Sequence, residues 1–324
     1  MTARSTAVAH ANIALIKYWG KADAALALPA TSSVSLTLDA YRTTTTVEWG
    51  RDADSVELDG TPLVGEAGER VTRFLDLVRA LAGRSDGAAV VSRNTVPTAA
   101  GLASSASGFA ALAAAATSAA GVDLDPRELS ILARKGSGSA ARSVFGGLAV
   151  WHAGVDDASS FAEPLDDPGL DLAMVVAVVD AGAKTISSRA AMRSTAETSP
   201  YYPAWVESSR TDLRDMLDAI RRADFSRVGE LTESNAMRMH ASMLAATPPV
   251  SYWQPDRVRV LQLVRDLRDR GVECYATMDA GPNVKVLCQR AGLDSVRRAV
   301  EELALPGVTT SLPGPGVQVT RDDR

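Results

Sequence analysis

A loop of small residues that opens into an alanine-rich helix constrains the fold more than any other stretch of this chain. It runs from Pro97 to Gly108 and contains Gly101 followed by three closely spaced serines. A strand is predicted before it at Ala88–Arg93, and a helix after it at Ser104–Ala120. The first amide groups of a helix lack partners within the helix, and the helix dipole adds positive potential. This junction therefore favours the binding of an anion such as a phosphate.

The same loop lacks the Gly-Lys-Ser/Thr of a Walker A motif, and its plain alternative is a helix cap made of small residues. Its pattern Pro-x-x-x-Gly-Leu-x-Ser-Ser-Ala-Ser resembles the phosphate-binding motif of the GHMP kinases. That resemblance implies binding of Mg-ATP, with Ser105 contacting Mg²⁺ through the ATP phosphates. The ATP-binding residues implied in this way, together with one residue chosen because it lies near the loop, are Asn94, Pro97, Ala99, Ala100, Gly101, Leu102, Ala103, Ser104, Ser105 and Ser107.

The length of 324 residues favours two domains, and we place their boundary near Asp180, giving residues 1–180 and 181–324. Hydrophobic residues make up 46% of the chain and charged residues 23%, which is typical of a globular protein. The order of helices and strands indicates two α+β layers.

Charge and cysteine content exclude several classes of function. The formal net charge is −5 and no long cluster of Lys or Arg occurs, so we expect no nucleic-acid partner. Cys274 and Cys288 do not form a CxxC motif, and the three histidines are far apart, which argues against a disulfide framework or a zinc site. The N-terminus has no apolar signal core, and the longest apolar runs, Phe109–Ala116 and Leu170–Val179, are shorter than the ~20 residues of a membrane span. We therefore expect a cytoplasmic protein without membrane contact.

Hydrophobic periodicity predicts further elements. Val34–Asp39 and Thr43–Trp49 are predicted as two strands that pair with each other, and Asp256 is predicted to cap a helix that ends at Arg270. The other predicted helices are Gly68–Ala82, Pro126–Arg134, Ser208–Arg222, Val228–Ala246 and Leu293–Leu303, and the other strands are Gly147–Trp151, Leu170–Asp180, Glu273–Met278, Val284–Cys288 and Gly316–Thr320.

The N-terminal segment Asn-Ile-Ala-Leu-Ile-Lys-Tyr-Trp-Gly-Lys, from Asn12 to Lys21, carries two lysines four residues apart. Lysine is a compact charge suited to phosphate, although a strand end with solvated lysines is the plain alternative. The segment is nearly identical to the opening motif of the diphosphomevalonate decarboxylases. By that resemblance Tyr18 and Lys21 hold a substrate phosphate, Trp19 lies in the substrate site, and Lys17 lies near the catalytic centre.

Three later segments match the same family in the same order. Gly-Ser-Gly-Ser-Ala-Ala-Arg ends at Arg142, Lys-Thr-Ile-Ser-Ser-Arg-Ala-Ala-Met begins at Lys184, and Asp-Ala-Gly-Pro-Asn begins at Asp279. Taken alone they could be a basic loop, a chance triplet and an Asx turn. The resemblance makes Asp279 the catalytic aspartate and places Arg142 on the carboxylate that leaves as carbon dioxide. It assigns the remaining substrate contacts to Ser137, Gly138, Ser139, Ser188, Arg189 and Ala280.

Taken together, these motifs imply the two-domain α+β GHMP kinase fold, with an N-terminal ATP-binding domain and a ferredoxin-like C-terminal domain. They imply a homodimer that uses Mg-ATP to convert mevalonate 5-diphosphate to isopentenyl diphosphate. The alternatives are a decarboxylase of mevalonate 5-phosphate, a kinase acting at carbon 3 of mevalonate, an ordinary GHMP kinase, or a regulator that binds ligand without turnover. The diphosphate is favoured because the residues expected to read it are all present, namely Tyr18, Lys21, Ser188 and Arg189.

Overall fold

The computed structural model describes residues 4–95, 104–180, 182 and 186–321. The first half of the chain contributes most of one large sheet and three helices. Its elements in chain order are β1 Arg4–Ile16, β2 Lys21–Asp23, β3 Leu28–Pro29, β4 Ser33–Arg51, β5 Ser55–Leu58, β6 Thr61–Pro62, α1 Gly65–Ala82, β7 Gly87–Asn94, α2 Ser104–Ala119, α3 Pro126–Gly136, a 3₁₀ helix Gly138–Val144, β8 Leu148–Trp151 and β9 Ala162–Pro164.

The second half contributes a smaller sheet, five helices and one strand that returns to the large sheet. Its elements are β10 Leu172–Val178, α4 Ser188–Thr198, α5 Tyr202–Arg221, α6 Phe225–Leu244, α7 Pro255–Asp269, β11 Cys274–Met278, β12 Val284–Gln289, a 3₁₀ turn Arg290–Gly292, α8 Leu293–Glu301, β13 Gly307–Ser311 and β14 Gln318–Arg321.

The large sheet has the strand order β14-β1-β4-β7-β5-β6, with β8 pairing β4 and β9. One face is covered by α1, α2 and α3, and α2 is buried on nearly every side. Alanine suits this position because its small side chain lets the helix approach the sheet closely. The close packing of α2 on the sheet is seen at Trp49 of β4, whose Nε1 donates a hydrogen bond to the carbonyl of Ala116 at 3.1 Å.

The small sheet is antiparallel with the order β11-β12-β10-β13, and α7 and α8 pack on one face of it. Helices α5 and α6 share one hydrophobic cluster with β1, β4 and β10, so this helical layer joins the two sheets. Asn235 of α6 accepts a hydrogen bond at 2.8 Å from the backbone amide of Lys17, directly after β1 ends. This contact brings the end of β1 against the second half of the chain.

The predicted pairing of Val34–Asp39 with Thr43–Trp49 is wrong, because both stretches belong to the single strand β4. Each pairs instead with β1, and the register shifts between His10 and Asn12. The chain does not turn back at Asp39, whose Oδ1 accepts hydrogen bonds from the hydroxyl of Ser311 and the amide of Leu312 at 2.7 and 2.9 Å. These long-range hydrogen bonds satisfy the side chain of Asp39, so the strand continues past the residue where the sequence had predicted its end.

The predicted cap of α7 is also wrong. Pro255 occupies the first turn and Gln254 is the N-cap, so the helix starts before Asp256. Asp256 instead pairs with Arg259 one turn later, at 2.7 Å. Helix α5 begins six residues before the predicted start, and strands β1 and β13 were not predicted. The described part of the chain contains no helix long and apolar enough to cross a membrane.

The boundary near Asp180 stays a prediction. Strand β10, which ends just before it, pairs with β12 and β13 of the small sheet. Strand β14 pairs with β1 of the large sheet at residues 5–8.

Candidate active site

A cavity of about 780 Å³ opens where the end of β1, the start of α2, the first 3₁₀ helix, the start of α4 and the turn after β11 meet. Most residues that the sequence assigned to the substrate line it, including the catalytic candidates. These are Lys17, Tyr18, Trp19, Lys21, Ser137, Gly138, Ser139, Arg142, Ser188, Arg189, Asp279 and Ala280. Segments far apart in the chain therefore meet at one place.

The Asp279 carboxylate lies between two lysines. Lys17 Nζ is 2.7 Å from Oδ1 and Lys285 Nζ is 3.0 Å from Oδ2. Both lysine side chains are 2% exposed, whereas that of Asp279 is 25% exposed and reaches the cavity. Burial raises the pKa of Asp279, but the two ammonium groups outweigh it and hold the pKa well below its usual range. Burial lowers the pKa of Lys17 to about 8, and Asp279 opposes that shift.

Arg142 is buried at the wall of the cavity and is held by hydrogen bonds. Its Nε and one terminal nitrogen donate to Asn12 Oδ1 at 3.3 and 3.2 Å, and the other terminal nitrogen donates to Ser33 Oγ. Asn12 is fixed in turn, because its amide donates to the Ser139 carbonyl and the Ser143 hydroxyl. Burial lowers the pKa of Arg142 to about 10, so the group remains a cation at neutral pH.

The segment that follows β1 depends on two glycines. Gly20 has φ +97°, and a Cβ there would overlap the hydroxyl of Tyr202. A Cβ at Gly138 would press on Tyr18 and Trp151, whose rings meet edge to face at 4.9 Å. Burial raises the pKa of Tyr18 to about 12, so its phenol stays protonated and can donate a hydrogen bond into the cavity.

A group of three cations that act on one another also lines the cavity, namely Lys21, Arg70 and Arg189. Within residues 4–95, 104–180, 182 and 186–321, none of the three has a carboxylate at salt-bridge distance. Burial lowers the pKa of Lys21, and the charges of Arg189 and Arg70 lower it further. Burial and the charge of Arg189 lower the pKa of Arg70 to about 10. Mutual repulsion of this kind indicates a site for a multiply charged anion.

The start of α2 supplies hydroxyl groups. Ser104 and Ser105 line the large cavity, and Ser137 donates to Ser105 Oγ at 3.2 Å. Ser107 is buried instead, with its hydroxyl 2.7 Å from that of Thr43. The other loop residues assigned to ATP, Pro97, Ala99, Ala100, Gly101, Leu102 and Ala103, lie outside the described residues.

A second cavity, of about 170 Å³, adjoins the first and shares Ser104 and Ser105 with it. Its walls are mostly apolar and come from α1, α2 and β5, and they include Val56, Val71 and Phe109. Asn94 lines it as well, and its Oδ1 accepts a hydrogen bond from Thr43 at 2.7 Å. Such a pocket suits a flat, largely apolar group next to phosphate-binding hydroxyls.

The turn that carries Asp279 is supported from behind. Arg257, which is fully buried, donates to the carbonyls of Gly281 and Pro282. Asn283 accepts hydrogen bonds from the backbone amides of Val179 and Asp180 at 2.8 and 3.1 Å. These contacts explain why the Asp-Ala-Gly-Pro-Asn segment takes one fixed conformation.

Sequence reasoning missed four residues that shape the site: Asn12, Arg70, Asn235 and Lys285. Asn12 is the first residue of the N-terminal motif, and Lys285 lies two residues after the Asp-Ala-Gly-Pro-Asn motif, so nearness to a motif is the sequence signal for both. Arg70 lies on the otherwise ordinary amphipathic helix α1, where the sequence gives no signal. Among the residues that the structure describes, no group of three or more His, Cys, Asp or Glu side chains could hold a metal ion.

Two sheets joined by a helical layer, with a cavity over the start of an alanine-rich helix, define the GHMP kinase fold. Two family models match the chain. The diphosphomevalonate decarboxylase-like N-terminal domain matches residues 9–162, and the mevalonate 5-diphosphate decarboxylase C-terminal domain matches residues 174–312.

Individual relatives agree with the family models. The diphosphomevalonate decarboxylase of Aspergillus fumigatus is 34% identical over 98% of this chain and 85% of its own length. The phosphomevalonate decarboxylase of Haloferax volcanii is 34% identical over 97% of this chain and 96% of its own. A solved structure of MDDEF in complex with MVAPP, AMPPCP and magnesium has a TM-score of 0.95 at 44% identity, covering 99% of this chain and 100% of that one. The chain belongs to the diphosphomevalonate decarboxylase family.

Proposed function

We propose that this protein is an enzyme that uses Mg-ATP to decarboxylate mevalonate 5-diphosphate, giving isopentenyl diphosphate, ADP, phosphate and carbon dioxide. The observation that carries the proposal is the arrangement around the large cavity. An ionised carboxylate, Asp279, reaches the cavity together with the buried guanidinium of Arg142 and a separate group of three cations. The proposed substrate has a hydroxyl, a carboxylate and a diphosphate, and each has a chemical counterpart there.

Asp279 is proposed to act on the tertiary hydroxyl at carbon 3. The low pKa of its carboxylate keeps it ionised, so it accepts a hydrogen bond from the hydroxyl and takes the proton as the phosphoryl group is transferred. Tertiary alcohols are poor nucleophiles, so most of the acceleration must come from positioning and from neutralised charge. Its low pKa also favours release of that proton to solvent, and the carboxylate, ionised again, then stabilises the positive charge that develops at carbon 3 when phosphate departs.

Arg142 is proposed to hold the carboxylate that leaves as carbon dioxide. Its anchors, Asn12 and Ser33, fix the guanidinium plane and leave the group no freedom to follow the substrate. The substrate carboxylate and the bond that breaks when it leaves can then stay aligned through the reaction. Tyr18, Lys21, Arg70, Ser188 and Arg189 are proposed to bind the diphosphate, and Trp19, Ser137, Gly138, Ser139 and Ala280 to shape the cavity around the chain of the substrate.

ATP and Mg²⁺ are proposed as the phosphoryl donor and its charge-neutralising cation. The residues present fit them, because Ser104 and Ser105 place hydroxyl groups where the large cavity meets the apolar one. Ser105 is the proposed contact to Mg²⁺ through the phosphates, and the apolar cavity beside Asn94 is the proposed place of the base. Ser107 is proposed to support the start of α2 through its hydrogen bond to Thr43. The loop residues 97–103 keep their proposed role from the sequence.

A monophosphate substrate is the second candidate, since one relative of similar identity is a phosphomevalonate decarboxylase. The group of three cations favours the diphosphate, because a second phosphate offers further anionic oxygens for it to bind, while Glu66, which lines the same cavity, offsets only part of its charge. Purified protein should therefore release ADP and carbon dioxide in equal amounts from Mg-ATP and mevalonate 5-diphosphate. Mevalonate 5-phosphate and mevalonate are the comparison substrates. ADP without carbon dioxide would make the protein a kinase, and a preference for the monophosphate would overturn the diphosphate assignment.

Arg70 provides a sharper test of that assignment. Arg70→Ala should raise KM for the diphosphate by about 10- to 100-fold, because a charge-assisted contact worth ~1.5–3 kcal/mol is lost. The KM for ATP should rise less than that for the diphosphate, because Arg70 reaches the apolar cavity only through its packing on the ring of Phe109. The matched control is Arg73→Ala, one turn away on the same helix, where the side chain is 60% exposed and pairs with Glu69. Equal effects of the two variants would show that Arg70 does not contact the diphosphate.

We further propose that the protein is a homodimer whose chain divides into two domains near residue 180, on the basis of the resemblance to the family. We also propose that it is cytoplasmic, and the cysteines support this. Cys274 and Cys288 are directly opposite one another on β11 and β12 and are free thiols, which suits a reducing compartment. Sedimentation equilibrium would establish the oligomeric state, and limited proteolysis would locate the boundary. A monomer at all concentrations would overturn the dimer.

A further inference from the structure

Lys285 contacts the Asp279 carboxylate without lining the cavity. It is the second residue of β12, is 1% exposed, and places Nζ 3.0 Å from Oδ2. The cavity walls include Lys17 and Asp279 among the described residues, but not Lys285. A contact between Lys285 and a substrate in the cavity is therefore not part of its role.

We propose that Lys285 is a positioning residue for the reaction, which holds the plane of the Asp279 carboxylate so that it faces the substrate hydroxyl. The proposal rests on the function proposed above. It adds a residue that acts on the reaction through Asp279 and Lys17 and does not contact the substrate.

The geometry of a carboxylate supports this role. The outer torsion of an aspartate side chain is broad, so one hydrogen bond leaves the carboxylate free to rotate. In this site Lys17 holds Oδ1 and Lys285 holds Oδ2, and two bonds on different oxygens fix the plane. The lone pairs that remain are then directed by the protein and need no reorganisation when the substrate binds.

Stability does not explain a lysine at this position. Burying an ammonium group has a large desolvation cost, and a buried ion pair is often no more stable than apolar residues of similar volume. The neighbours of Lys285 on β12, Val284 and Val286, are fully buried aliphatic residues, as expected for a central strand. A buried cation between these aliphatic residues therefore indicates that the neighbouring site requires its charge.

Lys285 also acts on the second lysine. Burial lowers the pKa of Lys17 to about 8, and the charge of Lys285 contributes to that lowering. Removing the charge of Lys285 should therefore raise the pKa of Lys17. The reaction is proposed to need a protonated Lys17, because its ammonium holds Oδ1 of Asp279, so activity would then persist to higher pH. The charged and titratable groups that face this pair are Asp279, Arg142 of the 3₁₀ helix, Arg257 of α7 and His240 of α6.

The test compares Lys285→Met with Lys285→Arg and with a control. Thr277 is directly opposite Lys285 on β11 and is equally buried, and its hydroxyl has no hydrogen-bond partner among the residues that the structure describes. Thr277→Val therefore changes the surroundings of Lys285 without removing a contact to Asp279. Initial rates of carbon dioxide and ADP release are measured between about pH 6 and pH 10. Lys285→Met should lower kcat about 100-fold, the effect of a misplaced catalytic group, and leave KM for the substrate near the wild-type value.

In Lys285→Met the pH at which kcat falls on the alkaline side should rise by about one unit. Lys285→Arg should restore most of kcat, and Thr277→Val should match the wild type in both respects. If Lys285→Met does not fold, Lys285→Gln, a neutral donor of similar length, should show the same shift to higher pH. A wild-type kcat in Lys285→Met, or a lower kcat without that shift, would overturn the proposal.

The outcome can be separated from that of the proposed function. A wild-type protein that forms ADP but no carbon dioxide would defeat the decarboxylase assignment. The ADP rates would still test Lys285, because phosphoryl transfer depends on the same orientation of Asp279.

Discussion

Replacing Asp279 by Asn should destabilise the protein, and the loss should depend on pH. The variant keeps the size of the side chain, but an amide offers one acceptor oxygen and a donor NH₂. At least one of the two buried ammonium groups, Lys17 or Lys285, then loses its acceptor. Breaking a buried ion pair in this way costs about 3–5 kcal/mol.

The pH dependence follows from Lys17. A lysine whose pKa is lower in the folded than in the unfolded protein destabilises the fold at low pH. That penalty fades as the pH rises from the folded value towards the unfolded one. In the wild type this gain begins only near pH 8, since burial lowers the pKa of Lys17 to about 8 while Asp279 opposes the shift. Without the carboxylate the pKa falls further, so the variant should gain up to ~1.4 kcal/mol per pH unit at lower pH.

Urea unfolding followed by tryptophan fluorescence, at several values between about pH 6 and pH 9, measures the difference. We expect the deficit of Asp279→Asn to be largest near pH 6 and to narrow by about 1–3 kcal/mol by pH 8. Asp212→Asn is the control: Asp212 is also buried, but its ion-pair partner Arg238 is 44% exposed and can be rehydrated, and the new amide oxygen can still accept the hydrogen bond from Asn235. A variant as stable as the wild type, or a deficit that is constant with pH, would refute the reasoning.

Two further substitutions test the neighbouring parts of the site. Arg142→Lys should lower kcat about 100-fold with little change in unfolding midpoint, because an ammonium can still bond Asn12 or Ser33 but lacks the planar fork that would also align the substrate carboxylate. Carbon dioxide release measures this, and a rate within a factor of two of the wild type would contradict it. Gly20→Ala should raise KM for the diphosphate and destabilise by ~1–3 kcal/mol, since a positive φ and an overlap with a tyrosine hydroxyl both oppose it. Gly271→Ala has the positive φ but no overlap and should affect stability alone, so equal KM values in the two variants would count against the argument.

Local signals were sufficient where one element decides the structure. Helix α2 was predicted within one residue of its observed end because glycine and alanine composition mark both the loop and the helix. The buried strands β11 and β12 were found from their apolar residues. The junction of β1 with α6 was not predicted, because it depends on a hydrogen bond between Lys17 and Asn235, which are 218 residues apart.

The cavity residues also divide into those that local sequence motifs reveal and those that depend on long-range contacts. Motif order brought Lys17, Arg142 and Asp279 to attention together, and the structure places all three at one cavity. The sequence could not show that Lys285 holds the other oxygen of Asp279, since a lysine in a strand is usually expected on a solvent-exposed face. Nor could it show Arg70, which reaches the cavity only because α1 packs beside α2 and α3.

The pairing of β14 with β1 has a consequence for how the chain is made. Residues 5–8 form one edge of the large sheet until residues 318–321 cover it, and these segments lie near opposite ends of the described chain. An uncovered edge strand is a template for pairing with other chains. Because the N-terminal part of a protein generally folds first during synthesis, this edge must wait for nearly the whole chain to emerge. Bacterial or cell-free expression of the first half alone should therefore yield an aggregation-prone fragment, and supplying residues 313–321 as a peptide should relieve it.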